Sequence, residues 1–263
     1  MKLDISGLTA GYGSNHVIER LNLSIASGEI VTLIGTNGCG KSTLLKTMAR
    51  ILKPCAGTVC LESESVHSMN TGLLAKQLAI LPQIHAAPED VTVRQLIEYG
   101  RFPHHGVWRM ASSRDRAAVD DILKMTRLEE LASRKVMSLS GGERQRAWIA
   151  MTLAQEPKVL LLDEPTTFLD VCCQFEVVEL VRKLNRKLGI TVVMVLHDLN
   201  LAARCSDRLA AIRDRRILHV GTPREIITPE ILREIFNIES EVIYGRDGVP
   251  FFIPVGSCRE GKT

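Results

Sequence analysis

One nine-residue stretch, residues 35–43, limits what this chain can fold into more than any other part of the sequence. It reads GTNGCGKST and fits the pattern G-x-x-x-x-G-K-[ST] of a phosphate-binding loop. Its glycines let backbone N–H groups converge on an anion, Lys41 supplies a mobile charge for the β- and γ-phosphates, and the Ser42 hydroxyl is placed to ligate Mg²⁺. Residues 29–34 predict a buried strand before the loop, and residues 42–48 predict a helix whose N-terminal dipole also faces the anion. This order predicts a nucleoside triphosphate site, with a chance glycine turn as the alternative.

The length and composition of the chain exclude several classes of protein. At 263 residues it can build one large domain or two small ones with ample core, and its charge of +3 favours neither the presence nor the absence of a nucleic acid partner. No apolar run approaches the roughly 18–20 residues that span a bilayer, and no secretory signal pattern is visible. The seven scattered cysteines predict reduced thiols and not a disulfide framework or zinc site. We therefore expect a soluble, intracellular protein that contacts membranes only through a partner.

Two side chains outside the loop are candidates for contacts with a nucleotide. Tyr12 lies between two glycines in a turn that separates two predicted half-buried strands. Its ring either packs on its own hairpin or offers a face on which adenine stacks. Gln83 ends a predicted buried strand, residues 78–83, at the edge where α/β sheets place ligand groups. The alternative for Gln83 is a solvated loop glutamine.

Further along, the apolar residues follow the spacing of helices. Residues 91–100 and 114–126 both carry this periodicity. Between them, residues 100–108 predict a loop with two exposed aromatic side chains, Phe102 and Trp108, and two adjacent histidines. That loop is interpreted either as a loosely packed connector or as a docking surface for a partner.

A second predicted anion site lies at residues 138–145, SLSGGERQ. Ser140 is a favourable N-cap, and Glu143 completes a capping box. Gly141 and Gly142 would be costly in a first helical turn unless the backbone must be approached closely. The pattern predicts an exposed helix N-terminus suited to phosphate. Both anion sites could bind one ligand only if the second came from another subunit.

Carboxylates and a histidine follow two further predicted buried strands. Residues 158–165, KVLLLDEP, predict a strand buried on both faces that ends in Asp163 and Glu164. Asp163 is placed to hold Mg²⁺ through water, and Glu164 to polarise an attacking water, with a helix N-terminal charge cluster as the alternative. His197 follows the predicted strand of residues 191–196 at the same sheet edge. That position favours a contact with the γ-phosphate over a structural role.

Together these motifs closely resemble those of the nucleotide-binding subunit of an ABC transporter. The resemblance covers nearly all of residues 1–240 and rests on four ordered motifs: the phosphate loop, the signature LSGGERQ at 139–145, LLLDEP at 160–165 and LHD at 196–198. It implies an α/β fold, in which a P-loop NTPase (RecA-like) core carries an N-terminal antiparallel β subdomain and an inserted α-helical subdomain.

The resemblance also implies how the chain divides. Residues 1–240 would form the ATPase domain, with residues 1–86 and 157–240 as the nucleotide-binding core and β subdomain. Residues 87–156 would form the helical subdomain that carries the signature. Residues 241–263 would be a C-terminal tail.

The resemblance implies a head-to-tail homodimer, with ATP and Mg²⁺ between the phosphate loop of one protomer and the signature of the other. Glu164 would be the general base, His197 would hold the γ-phosphate, and Gln83 would sense Mg²⁺ and the attacking water. Asp170 would lie in the loop that crosses the dimer interface. The implied ATP-binding residues are Tyr12, Gly35, Asn37, Gly38, Cys39, Gly40, Lys41, Ser42, Thr43, Ser140, Gly141, Gly142 and Asp170. The implied Mg²⁺ ligands are Ser42, Gln83 and Asp163.

Within that family the chain is most similar to the ATPase subunits that energise import of ferric siderophores, haem and cobalamin. Residues 100–104 (GRFPH), 165–170 (PTTFLD) and 197–204 (HDLNLAAR) carry this finer resemblance. It implies uptake of a ferric siderophore or related iron chelate, with haem or cobalamin as alternatives. The implied partners are two membrane-spanning permease subunits and, acting through them, an extracytoplasmic substrate-binding protein. The chain would then lie peripherally on the cytoplasmic face of the bacterial inner membrane.

Two loop positions depart from the family pattern: Thr36 stands where proline is usual, and Cys39 where serine is usual. Neither change removes a required ligand, because the backbone does most of the binding. Cys39 introduces a thiol at a helix N-terminus beside Lys41. We expect this thiol to ionise more readily, and to be alkylated faster, than a free cysteine.

Two other classes of protein fit parts of this pattern. A soluble ABC ATPase that acts on ribosomes or DNA usually carries two nucleotide sites, a coiled coil or a zinc hook. This chain has one phosphate loop and no such insertion, so no nucleic acid partner is expected. A regulatory module that uses ATP only to dimerise is disfavoured by the intact Glu164.

Overall fold

A computed structural model of the chain describes residues 1–84, 87–105 and 112–258. Its strands are β1 (Leu3–Tyr12), β2 (Asn15–Ile25), β3 (Ile30–Gly35), β4 (Ala56–Leu61), β5 (Glu64–Ser65), β6 (Leu78–Leu81), β7 (Val159–Asp163), β8 (Thr191–Val195), β9 (Arg208–Arg213), β10 (Arg216–Gly221), β11 (Ile238–Tyr244) and β12 (Pro250–Ser257). Its helices are α1 (Lys41–Met48), α2 (Thr71–Gln77), α3 (Val93–Tyr99), α4 (Phe102–His105), α5 (Ser113–Thr126), α6 (Gly141–Leu153), α7 (Val171–Leu188), α8 (Leu199–Cys205), α9 (Pro223–Ile226) and α10 (Pro229–Phe236). Within these ranges, no helix combines the length and apolarity that crossing a bilayer requires.

A six-stranded sheet forms the centre, in the spatial order β10-β9-β3-β8-β7-β6. Its strands pair in parallel except for β10, which is antiparallel to β9. Strands β3, β7 and β8 are buried along their whole length, because helices cover both faces of the sheet. Parallel pairing brings the carboxyl ends of β3, β6, β7 and β8 to one edge. The phosphate loop, Gln83, Asp163 and His197 all follow that edge directly.

A second, four-stranded sheet packs beside the first, in the spatial order β2-β1-β4-β5 with all pairs antiparallel. Its buried side chains share one core with the apolar side of α1, including Leu44, Leu45 and Met48. The hairpin of β1 and β2 is thereby fixed against the helix that follows the phosphate loop. The predicted α/β class and N-terminal antiparallel sheet are confirmed.

Four helices, α3 to α6, lie in the chain between the neighbouring strands β6 and β7. Helices α3, α5 and α6 share a core that includes Leu96, Val119, Ile122 and Ile149. The segment predicted as a loop at residues 100–108 begins instead with the helical turn α4, where the Phe102 side chain is 51% exposed. Trp108 lies outside the described residues.

A buried arginine ties these helices together. Arg101 is 2% exposed, and its guanidinium donates to Asp115 Oδ1 at 3.0 Å and to the Ala154 carbonyl at 2.8 Å, with Glu156 Oε1 at 3.0 Å. Hydrogen bonds from Ser112, with a further contribution from Arg101, lower the pKa of Asp115 to about 2. The arginine of the GRFPH motif therefore joins α4, α5 and the end of α6.

The last elements of the described chain are β11 and β12, which form a two-stranded sheet that we call the C-terminal hairpin (Ile238–Ser257). The side chains of Val242, Val249 and Phe252 pack against the main core. The predicted boundary between residues 240 and 241 falls inside β11.

Replacing Arg101 by alanine should lower the free energy of unfolding by about 3–5 kcal/mol, because it leaves the buried Asp115 carboxylate without its cation. Urea denaturation measures this loss. Lys135→Ala is the matched control, since Lys135 pairs with Asp90 in an exposed ion pair that should contribute only about 0–1 kcal/mol. Equal, small losses in both variants would contradict the role given to Arg101.

Candidate nucleotide-binding and catalytic site

The phosphate loop presents backbone donors at the start of α1. Gly40 occupies the N-cap with φ 106°, and a Cβ there would lie 2.6 Å from the Ile18 side chain, so the position requires glycine. No side chain caps this helix, and its first turn holds no acidic residue. The N–H groups of Lys41, Ser42 and Thr43 have no acceptor within the helix. They are available to an anion, as predicted from the sequence.

Lys41 lies inside the loop. Its side chain is almost fully buried, and Nζ donates to the carbonyls of Gly35 and Thr36 at 2.8 and 2.9 Å. These two hydrogen bonds hold the Lys41 ammonium group within the loop. Phosphate oxygens would be stronger partners for it than neutral carbonyls.

The expectation that Cys39 ionises readily is wrong. The residue is 9% exposed, and a Cβ on Gly35 would lie 2.8 Å from its Sγ. Burial raises the pKa of the Cys39 thiol, and this outweighs the opposite effect of Lys41, whose Nζ is 3.8 Å from Sγ. A helix N-terminus and a nearby cation favour a thiolate only where the thiol keeps enough solvent.

Ser42 and Asp163 form a pair of oxygen ligands at the sheet edge. The Ser42 hydroxyl donates to Asp163 Oδ1 at 2.9 Å, although the two residues are 121 positions apart. Burial raises the pKa of Asp163 above its usual value, although the hydrogen bond from Ser42 opposes this shift. A buried carboxylate beside a hydroxyl fits Mg²⁺, which takes oxygen ligands and would supply the compensating charge.

Glu164 is the centre of a second cluster. Its backbone has φ 53°, an unusual value for a residue with a side chain, and this turns the carboxylate away from the line of β7. The carboxylate accepts from Gln83 Nε2 at 2.6 Å and from Thr167 Oγ1 at 3.0 Å, and it lies 2.6 Å from His197 Nε2. The structure thus joins the three residues that the sequence analysis made catalytic.

Thr167 was not predicted as a site residue. Its hydroxyl lies three positions after Glu164, close enough in the chain to donate to the carboxylate of that residue. The run of two threonines after Pro165 was therefore the available signal. Phe168, next in the chain, is 98% exposed with φ 64°.

The signature begins α6 as predicted. The Ser140 hydroxyl accepts from the Glu143 N–H at 3.4 Å, and the Glu143 carboxylate accepts from the Ser140 N–H at 2.9 Å. A Cβ on Gly142 would lie 2.7 Å from Cys173 Sγ, which packs the start of α6 against the start of α7. Asp170 caps α7 by accepting from the Cys173 N–H at 2.9 Å, and this bond lowers the pKa of Asp170.

A cavity of about 380 Å³ lies between the signature and the cluster of side chains around Glu164. Gly141, Gln83, Glu164 and Phe168 are among the residues that line it. No residue of the phosphate loop is among those that line this cavity.

Tyr12 lies at the tip of the β1–β2 hairpin and is 53% exposed. The same β2 strand supplies Val17 and Ile18, which contact the position of Gly40. The aromatic ring is therefore on a hairpin that touches the phosphate loop, with a free surface for stacking.

Maleimide should label Cys39 more slowly than the exposed Cys55 and Cys172, by roughly tenfold or more, since its thiol is buried and its pKa is raised. Peptide mapping by mass spectrometry over time measures the order. In urea, all seven cysteines should label at similar rates. Labelling of Cys39 as fast as Cys172 in the folded protein would contradict the buried position.

Known proteins share both the sequence and the fold. Residues 18–167 match the protein family described as ABC transporter. The chain is 50% identical over 253 residues to the "Probable siderophore transport system ATP-binding protein YusV" of Bacillus subtilis (strain 168), covering 96% of this chain and 92% of that protein. It is 47% identical over 241 residues to the "Iron(3+)-hydroxamate import ATP-binding protein FhuC" of the same strain, covering 92% and 90%.

A solved structure agrees with these matches. The dimeric, post-hydrolysis state of the ATP-binding cassette MJ0796 bound to ADP and Pi has a TM-score of 0.72 and 28% identity, covering 84% of this chain and 98% of that one. The P-loop NTPase fold that the motifs implied is thus confirmed. The chain belongs to the ABC transporter family and is one of its ATPases.

Proposed function

We propose that this ATPase energises import of a ferric siderophore or a related iron chelate through separate membrane permease subunits. The observation that carries the ATPase mechanism is the joining of Gln83, His197 and Glu164 beside the Ser42–Asp163 pair. The cargo is supported by the printed names of the relatives, one a siderophore transport protein and the other an iron(3+)-hydroxamate import protein.

ATP binds first through the phosphate loop. The free N–H groups at the start of α1 and the Lys41 ammonium hold the phosphates, while Tyr12 stacks on the adenine. Ser42, Gln83 and Asp163 would hold Mg²⁺. That ion neutralises charge on the phosphates when it is bound.

Glu164 then acts as the general base. Its carboxylate is held by Gln83, His197 and Thr167. An attacking water must hydrogen-bond to the Glu164 carboxylate in place of one of these three groups. His197 therefore transfers its contact from Glu164 to the γ-phosphate. Glu164 accepts a proton from water only once this exchange has occurred.

The signature binds the nucleotide of a partner protomer. This assignment is supported by the absence of the phosphate loop from the cavity that the signature lines within the described chain, and by the dimeric state of the solved relative. Ser140, Gly141 and Gly142 supply the N-terminus of α6 as a second anion site, and Asp170 lies beside it at the start of α7.

The proposed role in import also implies membrane permease subunits and a substrate-binding protein as partners. The homodimer docks on two permease subunits at the cytoplasmic face of the bacterial inner membrane, and a substrate-binding protein acts through the permease. The exposed Phe102, held by the buried Arg101, is suited to anchor such a contact.

Glu164→Gln should lower ATP turnover by about 10²–10⁴-fold, as loss of a general base does, and should abolish uptake of radiolabelled ferric siderophore by cells that depend on this chain. ATP affinity should be retained, because Glu164 makes no contact with the phosphate loop's donors. Steady-state hydrolysis, nucleotide titration and uptake measure the three quantities. Turnover at the wild-type rate would remove Glu164 from the role of general base. Loss of hydrolysis with unchanged uptake of the chelate would contradict the proposed cargo.

Ser140→Arg should abolish hydrolysis while leaving nucleotide binding by the monomer nearly unchanged, since the signature acts across the interface. Mixing this variant with Lys41→Ala should restore activity, because the heterodimer contains one composite site with both wild-type halves. Each variant alone is the control. Unimpaired hydrolysis by Ser140→Arg would exclude the composite site.

A further inference from the structure

Asn200 connects the C-terminal hairpin to the start of α8. Its side-chain Oδ1 accepts from the Phe252 N–H at 2.9 Å, and its Nδ2 donates to the Phe252 carbonyl at 3.3 Å. The amide group therefore pairs with β12 as a residue of a neighbouring strand would. Phe252 itself packs into the main core, so the point of attachment is fixed on both sides.

The backbone around Asn200 is fixed at the same time. Asp198 is the N-cap of α8, and its Oδ1 accepts from the N–H groups of Asn200 and Leu201 at 2.8 and 3.0 Å. Only two residues therefore separate His197 from Asn200, which is bound to β12 at two points. The first turn of α8 cannot shift relative to the C-terminal hairpin without breaking these bonds.

His197 itself has little else to hold it. Its side chain is 44% exposed, and its polar contact within the described chain is with Glu164 Oε1 at 2.6 Å. That contact is the one that must be exchanged during hydrolysis. The direction from which the imidazole projects is consequently set by the backbone between the end of β8 and the start of α8.

We infer that Asn200 is a positioning residue for His197, and that through it the C-terminal hairpin takes part in ATP hydrolysis. The inference rests on the proposed roles of His197 and Glu164. Loss of the Asn200 side chain frees the first turn of α8 from β12, and the imidazole then reaches Glu164, and the γ-phosphate after it, less often.

The test compares Asn200→Ala with Arg224→Ala in the full-length protein. Arg224 also holds the C-terminal hairpin, by donating to the Gly248 carbonyl at 2.8 Å and lying over the Tyr244 ring, but its hydrogen bond is to the turn between β11 and β12 and not to β12 itself. The helix cap is kept in Asn200→Ala, since Asp198 bonds the backbone there. The two variants thus weaken the same hairpin through different contacts: Asn200→Ala removes the bonds between α8 and β12, which Arg224→Ala keeps.

Two readouts are taken: the ¹⁵N NMR signals of the His197 imidazole, identified by their loss in His197→Gln, and steady-state hydrolysis. We expect Asn200→Ala to shift the His197 signals and to lower kcat about 10- to 100-fold, with KM for ATP within about twofold. Arg224→Ala should change neither. If Asn200→Ala does not fold, Asn200→Asp keeps the acceptor for the Phe252 N–H, loses the donor, and should give a smaller change of the same kind.

Unshifted His197 signals in folded Asn200→Ala, or equal shifts in Arg224→Ala, would overturn the inference. The NMR measurement needs no turnover, so it is separable from the proposed function. Wild-type hydrolysis by both His197→Gln and Glu164→Gln would refute the proposed catalytic roles even if Asn200→Ala displaced the imidazole.

Discussion

Parallel pairing of β3, β8, β7 and β6 is the constraint on which the site depends. The four strands are neighbours in space but are distant in the chain, and parallel hydrogen bonding forces their carboxyl ends to one edge. The strands, and not contacts between the side chains, therefore bring together the side chains that follow them. The 2.9 Å bond between Ser42 and Asp163, across 121 positions, is one result. The side chains at this edge are thus brought together by backbone pairing.

At that edge, the carboxylates of Asp163 and Glu164 lie in different electrostatic surroundings. Asp163 is buried beside a hydroxyl and two lysines, in a place where charge is costly unless a cation arrives. Glu164 is held by an amide, an imidazole and a hydroxyl, each of which can be exchanged for a ligand. The carboxylates of two adjacent residues therefore lie in different surroundings, and the backbone between them turns through the left-handed conformation of Glu164, with φ 53°.

The sequence predicted the loop, the strands that lead to the site, and the residues at the sheet edge, because these are encoded locally. Glycine spacing, apolar runs and a capping box need no knowledge of the rest of the chain. The pKa of Cys39 was predicted in the wrong direction, since burial depends on Gly35 and the surrounding packing. The pairing of Asn200 with Phe252 joins positions 52 residues apart and has no local pattern. The C-terminal hairpin was missed because its strands bury only one side against the core.

The close approach of Gly142 to Cys173 has a consequence for how these proteins can diverge. The gap there is filled by a sulfur atom, and even one methyl group on Gly142 would lie 2.7 Å from it. The volumes at the two positions are therefore complementary: a larger residue at one requires a smaller residue at the other. A larger residue at position 142 requires the side chain at position 173 to turn away or to be smaller, so substitutions at the start of α6 should depend on the residue at the start of α7.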